Sequence, residues 1–268
     1  MGASAPFLIV STSSSLDARL RGLALLAALS VISLSRVLSS PLILESGQEK
    51  ISLLELYTSE GCSSCPPAES WLSGLKQSPF LWKRVVPVSF HVDYWNSLGW
   101  PDRYSSPEYT TRQRAYRDLW QSQGIYTPEF VLNGREWHPD ESSLSAGAMP
   151  VGRLHASIDD AHKITISFVP SGRASSEIKE PLIAEVALLG MGIQSNVARG
   201  ENAGHTLQHD FVALSLVEAE LAPAASGEYR GTLTLPPQNA PLADLGIALW
   251  VRSRNNPTPI QAVGGWLK

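Results

Sequence analysis

The 268-residue chain has only two cysteines, Cys62 and Cys65, standing three positions apart. A bridge between them closes a very short loop, where loop-closure stabilisation is smallest, so the pair is a poor staple and points to chemistry. Thiolates, not thiols, attack disulfides, and a helix N-terminus favours the thiolate through its dipole and free N–H groups. Cys62 is therefore expected to be an exposed nucleophile, with Cys65, one turn further in, as the buried resolving thiol. Ser63 and Ser64 offer hydroxyl donors to a thiolate, whereas Glu60 opposes its charge. Glu55 lies within the apolar run that precedes the cysteines. It reads either as a buried acid that moves protons for Cys65 or as a salt-bridged or solvent-facing edge residue. His91 and Asp93 close a second apolar run, where a histidine can relay protons or simply be hydrogen-bonded in place. His205 and His209 are four apart, a metal-ligand spacing only on a helix. On a strand four steps span about 13 Å, so that pair is not expected to bind metal. Neither a resident metal nor a cofactor is expected.

Positioning these residues requires a strand, a turn and a helix in succession. Ile51–Tyr57 is an apolar run of strand length, Thr58–Gly61 a polar turn, and Pro66–Leu75 a helix opened by two prolines, tolerated in a first turn. Val85–Val92 reads as a second, buried strand. Residues 93–107 form an aromatic loop whose Tyr94, Trp95 and Trp100 would line a peptide groove or pack beneath the loop. Glu108–Gln123 is expected to be helical, with Gly124 as its C-cap, and Asn133-Gly134 is a strong hairpin signal. A short helix is expected over 152–162. Strands follow over 163–169, 182–189, 206–217, 229–235 and 247–251, the pattern of a small antiparallel sandwich.

Leu54–Glu69, LELYTSEGCSSCPPAE, resembles the opening motif of the DUF1223 family, thioredoxin-like and largely secreted bacterial proteins of unknown function. His91–Asn96, Tyr126–Pro128 and Arg199–Gly204 resemble further motifs of that family, and the resemblance covers roughly residues 50–265. It implies a thioredoxin-like fold, and with the strand pattern above the chain reads as an α/β thioredoxin-like domain over 47–162, followed by a smaller all-β, sandwich-like domain over 163–268. The stretch Gly124–Gly134 is similar to the thioredoxin segment in which a cis-proline faces the cysteine pair. That similarity implies a cis Thr127-Pro128 bond and a substrate-holding role for the backbone at Thr127. Cys62, Cys65, Thr127, Pro128 and Glu55 are thus the expected site residues.

The remaining features bound the setting. Arg19 and Arg21 precede an apolar stretch over 22–34, too short to span about 30 Å of hydrocarbon but suited to a signal peptide. Residues 1–40 therefore read as a cleaved signal peptide or an N-terminal anchor, which implies a periplasmic or secreted protein with no stable membrane insertion after cleavage. A net charge of −4 and the lack of a basic run exclude nucleic acid as a partner. The leading expectation is a thiol-disulfide oxidoreductase that acts on exported protein thiols or small disulfides and is recycled by a redox partner. Two other classes remain open. One is a copper-binding metallochaperone using both thiolates, with His91 as a third ligand; the other is a non-catalytic binding module.

Overall fold

In the computed structural model the described residues are 1–2, 40–139, 144, 149–237 and 245–267. The segment 1–40, expected as a signal peptide or anchor, lies almost wholly outside them. No helix among the described residues is long and apolar enough to cross a membrane.

From the N-terminus the elements are β1 (Leu42–Glu45), β2 (Ser52–Thr58), α1 (Pro66–Gly74), β3 (Val85–His91), α2 (Pro107–Trp120), β4 (Glu129–Leu132) and β5 (Arg135–Trp137). They continue with β6 (Gly152–Ile158), β7 (Lys163–Pro170), α3 (Arg173–Glu177), β8 (Leu182–Gly190), β9 (Ile193–Asn196) and β10 (Thr206–His209). The chain closes with β11 (Val212–Pro223), β12 (Tyr229–Thr234), β13 (Leu245–Ser253) and β14 (Pro259–Trp266). Twelve of these strands share one mixed sheet, ordered β1-β6-β7-β12-β11-β3-β2-β4-β5, with β8 joining β11 to β13 and β13 pairing with β14.

This architecture corrects the expectation of an α/β thioredoxin-like domain followed by a separate all-β domain. Ser39–Lys268 is a single compact unit, mostly β, with few helices. The expected strand–Cys-x-x-Cys–helix segment is present as β2, the cysteine loop and α1. However, the outer edge of β3 is taken by β11, where Ser89 N–H donates to the Phe211 carbonyl at 2.7 Å. The physical reason lies in β8 and β13, which are largely apolar on both faces, Glu185 and the Arg252 end apart. Ala187 and Leu189 of β8, with Ala248 and Trp250 of β13, face a core built on β2, β3, α1 and α2. Their alternate neighbours, among them Val186, Leu188, Ile247 and Leu249, face a second core built on β6 and β7. A strand sends successive side chains to opposite faces, so such a continuous apolar run is satisfied only between two cores.

Two local expectations also change. Residues 152–158 form β6 rather than a helix, with Gly152, Leu154, Ala156 and Ile158 buried in strict alternation. The strand expected over 206–217 is two strands, β10 and β11, broken at Asp210-Phe211, where Phe211 takes φ 58°. At the hairpin, Asn133 (φ 53°) and Gly134 (φ 80°) link β4 to β5 with Leu132 opposite Arg135, as a primed two-residue turn requires. Helix α2 starts on Ser106, whose Oγ accepts from Glu108 N–H, and ends on left-handed Gln121 rather than Gly124.

Candidate redox and ionic site

Cys62 and Cys65 form a disulfide with a Cα–Cα distance of 5.5 Å at the start of α1. Cys65 is the residue that caps this helix, and Pro66 and Pro67 occupy its first two positions. Those prolines have no N–H to offer a thiolate, and the next two amides, of Ala68 and Glu69, both donate to the Cys65 carbonyl. The free amide donors expected at this helix start are therefore missing. Among the described residues the polar partner at sulfur is the Ser64 hydroxyl, 3.3 Å from Cys62 Sγ. Both cysteines are fully buried, so Cys62 is not the exposed nucleophile expected, while Ser63 and Ser64 face solvent.

Two loops cover the disulfide. The Asn202 amide donates to the carbonyls of Glu60 (2.9 Å) and Cys62 (3.0 Å), and Glu201 accepts from both the backbone N–H and the hydroxyl of Ser63. These bonds hold the Glu201 carboxyl below its usual range. On the other side Trp95 packs on Gly61, where a side-chain Cβ would lie 3.1 Å from that of Trp95. The Trp95 indole N–H donates to Thr127 Oγ1 at 2.8 Å, next to the cis Thr127-Pro128 bond. Trp95 thus bridges the cysteine loop and the proline segment.

Glu55 is elsewhere engaged. Its carboxylate accepts from Arg112 (2.8 and 3.1 Å), Tyr57 (2.6 Å) and Tyr116 (2.8 Å), and neither cysteine is among its partners. Arg112, buried on α2, also binds Glu185 of β8 at 2.8 Å, and the two carboxylates hold its charge firmly in place despite burial. Asp93 accepts from the Thr110 hydroxyl. Tyr94 and Trp95 pack against the first core.

Beside the cysteine loop lies a buried cluster of Glu60, Glu69, His91, Asp102 and His209. His91 Nδ1 donates to Asp102 Oδ2 at 2.7 Å, and that same oxygen accepts from Glu60 N–H at 2.8 Å. His209 Nδ1 donates to Glu69 Oε2, its Nε2 lies 3.4 Å from Glu60 Oε1, and the Thr58 hydroxyl donates to Glu69 Oε1 at 2.6 Å. The Trp100 indole donates to the other Glu60 oxygen at 2.6 Å. Burial pushes His209 down, but Glu60 and Glu69 outweigh it and raise its pKa to about 10. His91 moves up in the same way against its burial, through the charge of Asp102 and their hydrogen bond. Burial raises Glu60, but hydrogen bonds from His209, Ser195 and Trp100 leave it below its ordinary value. Glu69, His91 and His209 each offer a ligand atom, all mutually within 4.8 Å; the cysteines, bonded to each other, are not part of that group.

Sequence reading singled out neither Glu69 nor the partnership of His209 with it. Glu69 sits one turn after Cys65 on α1 and was legible as a helix-face neighbour. His209 arrives from β10, and His205, its partner in the i, i+4 pattern, is exposed in the preceding turn.

Among solved structures, this chain resembles the crystal structure of an Agrobacterium tumefaciens protein at 24% identity and a TM-score of 0.60, covering 83% of this chain and 97% of that one. It also resembles HBP35 of Porphyromonas gingivalis at 16% identity and a TM-score of 0.58, covering 83% of this chain and 76% of that one. At these identities the likeness concerns the fold. No curated protein matches in sequence. The family model described as a protein of unknown function, DUF1223, matches residues 53–252, which takes in the cysteine loop, the cis-proline and His209, and the chain belongs to that family.

Proposed function

We propose that this chain is an exported thiol-disulfide exchange protein whose Cys62–Cys65 pair works in the reducing direction. The observation that carries the reading is that the only two cysteines are bonded to each other at the start of a helix, across a loop too short for a useful staple. In the dithiol form the Cys62 thiolate attacks a substrate disulfide, expels one substrate thiolate and forms a mixed disulfide. The Cys65 thiolate then attacks the Cys62 sulfur, releases the second substrate thiolate and closes the pair. The substrate gains two electrons that the pair loses, and a separate dithiol partner restores them. Exported protein disulfides or small disulfides are the substrate class.

The direction follows from what surrounds the sulfurs. A pair becomes a strong oxidant when its thiolate is stabilised, and here two prolines remove helix amides while Glu60 is buried nearby. The disulfide is thereby favoured. Equilibration of the purified, metal-free protein with a dithiol buffer is expected to give a reversible midpoint near the lower end of the range from about −120 to about −270 mV. A pair that never cycles reversibly overturns the reading in favour of a binding module. A midpoint near about −120 mV keeps the exchange chemistry and reverses its direction.

A further inference from the structure

The buried cluster beneath the cysteine loop has an arrangement that thiol exchange does not require. We propose that Glu69, His91 and His209 form a binding site for one divalent first-row transition ion, zinc foremost. The three residues come from α1, the end of β3 and the end of β10, and their ligand atoms already lie within 4.8 Å of one another. The assignment of atoms follows from what each group already holds. His91 Nδ1 is bound to Asp102, which fixes the ring and leaves Nε2 to give up its proton to an incoming ion, and that Nε2 is fully buried with no hydrogen-bond partner. The far nitrogen of His209 faces Glu60 Oε1, and Nδ1, which donates to Glu69 in the absence of an ion, binds one by releasing that proton. Glu69 in turn is held through its other oxygen by the Thr58 hydroxyl.

Two of the three ligands are already oriented by an outer partner, Asp102 for His91 and Thr58 for Glu69, while Glu60 Oε1 stands 3.4 Å from the remote nitrogen of His209. A carboxylate on the remote nitrogen of a ligating imidazole is the usual support of a protein-bound zinc ion. Two imidazoles and one carboxylate are a zinc ligand set that leaves a fourth position open. Charge points the same way. Three buried carboxylates, Glu60, Glu69 and Asp102, face two imidazoles, and a dication takes the place of the two protons that their imidazolium forms carry. Because the cysteines take no part, this site is independent of the thiol reading, and either can fail alone.

The test uses the full chain with its disulfide kept oxidised, so that thiolates are unable to bind. After chelator treatment it is titrated with zinc by calorimetry and with cobalt by visible spectroscopy. One equivalent is expected to bind, with a cobalt spectrum lacking sulfur-to-metal charge transfer. His91→Gln, His209→Gln and Glu69→Gln are each expected to abolish that equivalent, and Asp102→Asn to weaken it 10- to 100-fold. X-ray absorption on the zinc-loaded wild type needs no variant and is expected to show two imidazoles with nitrogen and oxygen ligation only. No saturable equivalent, binding that survives the histidine substitutions, or binding only after the cysteines are reduced would overturn the proposal.

Discussion

Glu129 follows the cis-proline and is almost fully buried, and burial pushes its carboxyl up to about 7. Gln113 Nε2 donates to it, but Glu136 and Glu55 add negative charge that favours the protonated form. The folded state thus holds a proton that the unfolded chain releases near pH 4.5, and stability drains away as pH rises from there to about 7. Urea unfolding of the wild type and Glu129→Gln across that window is expected to show the variant gaining relative stability with rising pH. Parallel curves would reject this. Arg112 presents the opposite case, a buried cation between Glu55 and Glu185. Arg112→Met leaves Glu55 without its cation and Glu185 with Arg252 alone, 3.0 Å away, and is expected to cost about 3–5 kcal/mol in equilibrium denaturation, as breaking buried pairs does. At this scale the sequence exposed the chemistry of the cysteines but not its surroundings. Glu55 reads as a proton carrier for Cys65 or as a salt-bridged or solvent-facing residue; the structure has it in a salt bridge, but the Arg112 that claims it comes from a distant helix. Similarly, nothing near His209 in sequence shows that Glu69 and Glu60 await it.

The cysteine loop is closed by elements from both halves of the chain. Glu201 anchors Ser63 and Asn202 spans two carbonyls beside Cys62, so the loop containing them covers a disulfide that is itself buried. Glu201→Ala releases the outer of these two attachments. Reduction of the disulfide by a small phosphine is expected to speed up several-fold while the midpoint potential stays the same, and an unchanged rate would assign gating to the Trp95 side instead. Period and punctuation made many elements readable in advance: the apolar run that became β2, the Asn133-Gly134 turn between β4 and β5, and the proline-opened α1. They misled where a short segment fits two periods. Leu154 and Ile158 are spaced as on a helix, yet Ala156 between them is equally buried, and tertiary pairing with β1 and β7 decides for strand.

The sheet as a whole was not legible, because its critical seam is a single parallel register contact between Val212 of β11 and Ser89 of β3. No local pattern announces a pairing of such long range, whereas the two-sided apolar runs of β8 and β13 would have argued against an independent sandwich. Since those strands serve both cores, unfolding is expected to be one cooperative event. Tryptophan fluorescence, weighted toward the first core, and far-UV circular dichroism should give coincident urea transitions; two resolved transitions would mean that the cores part company. The same sheet carries a separable piece. Gly190 and Val212 are register partners, so the chain leaves the sheet at the end of β8 and re-enters beside its point of departure. Everything between, including the β9–β10 pair, Glu201, Asn202 and His209, is an excursion hung on an otherwise ordinary hairpin. Outside the residues that bond back to the body, such as Asn202 and His209, heritable change can lengthen or trim that excursion without disturbing a strand of the main sheet, and so the cover over the cysteines can diverge while the scaffold stays the same.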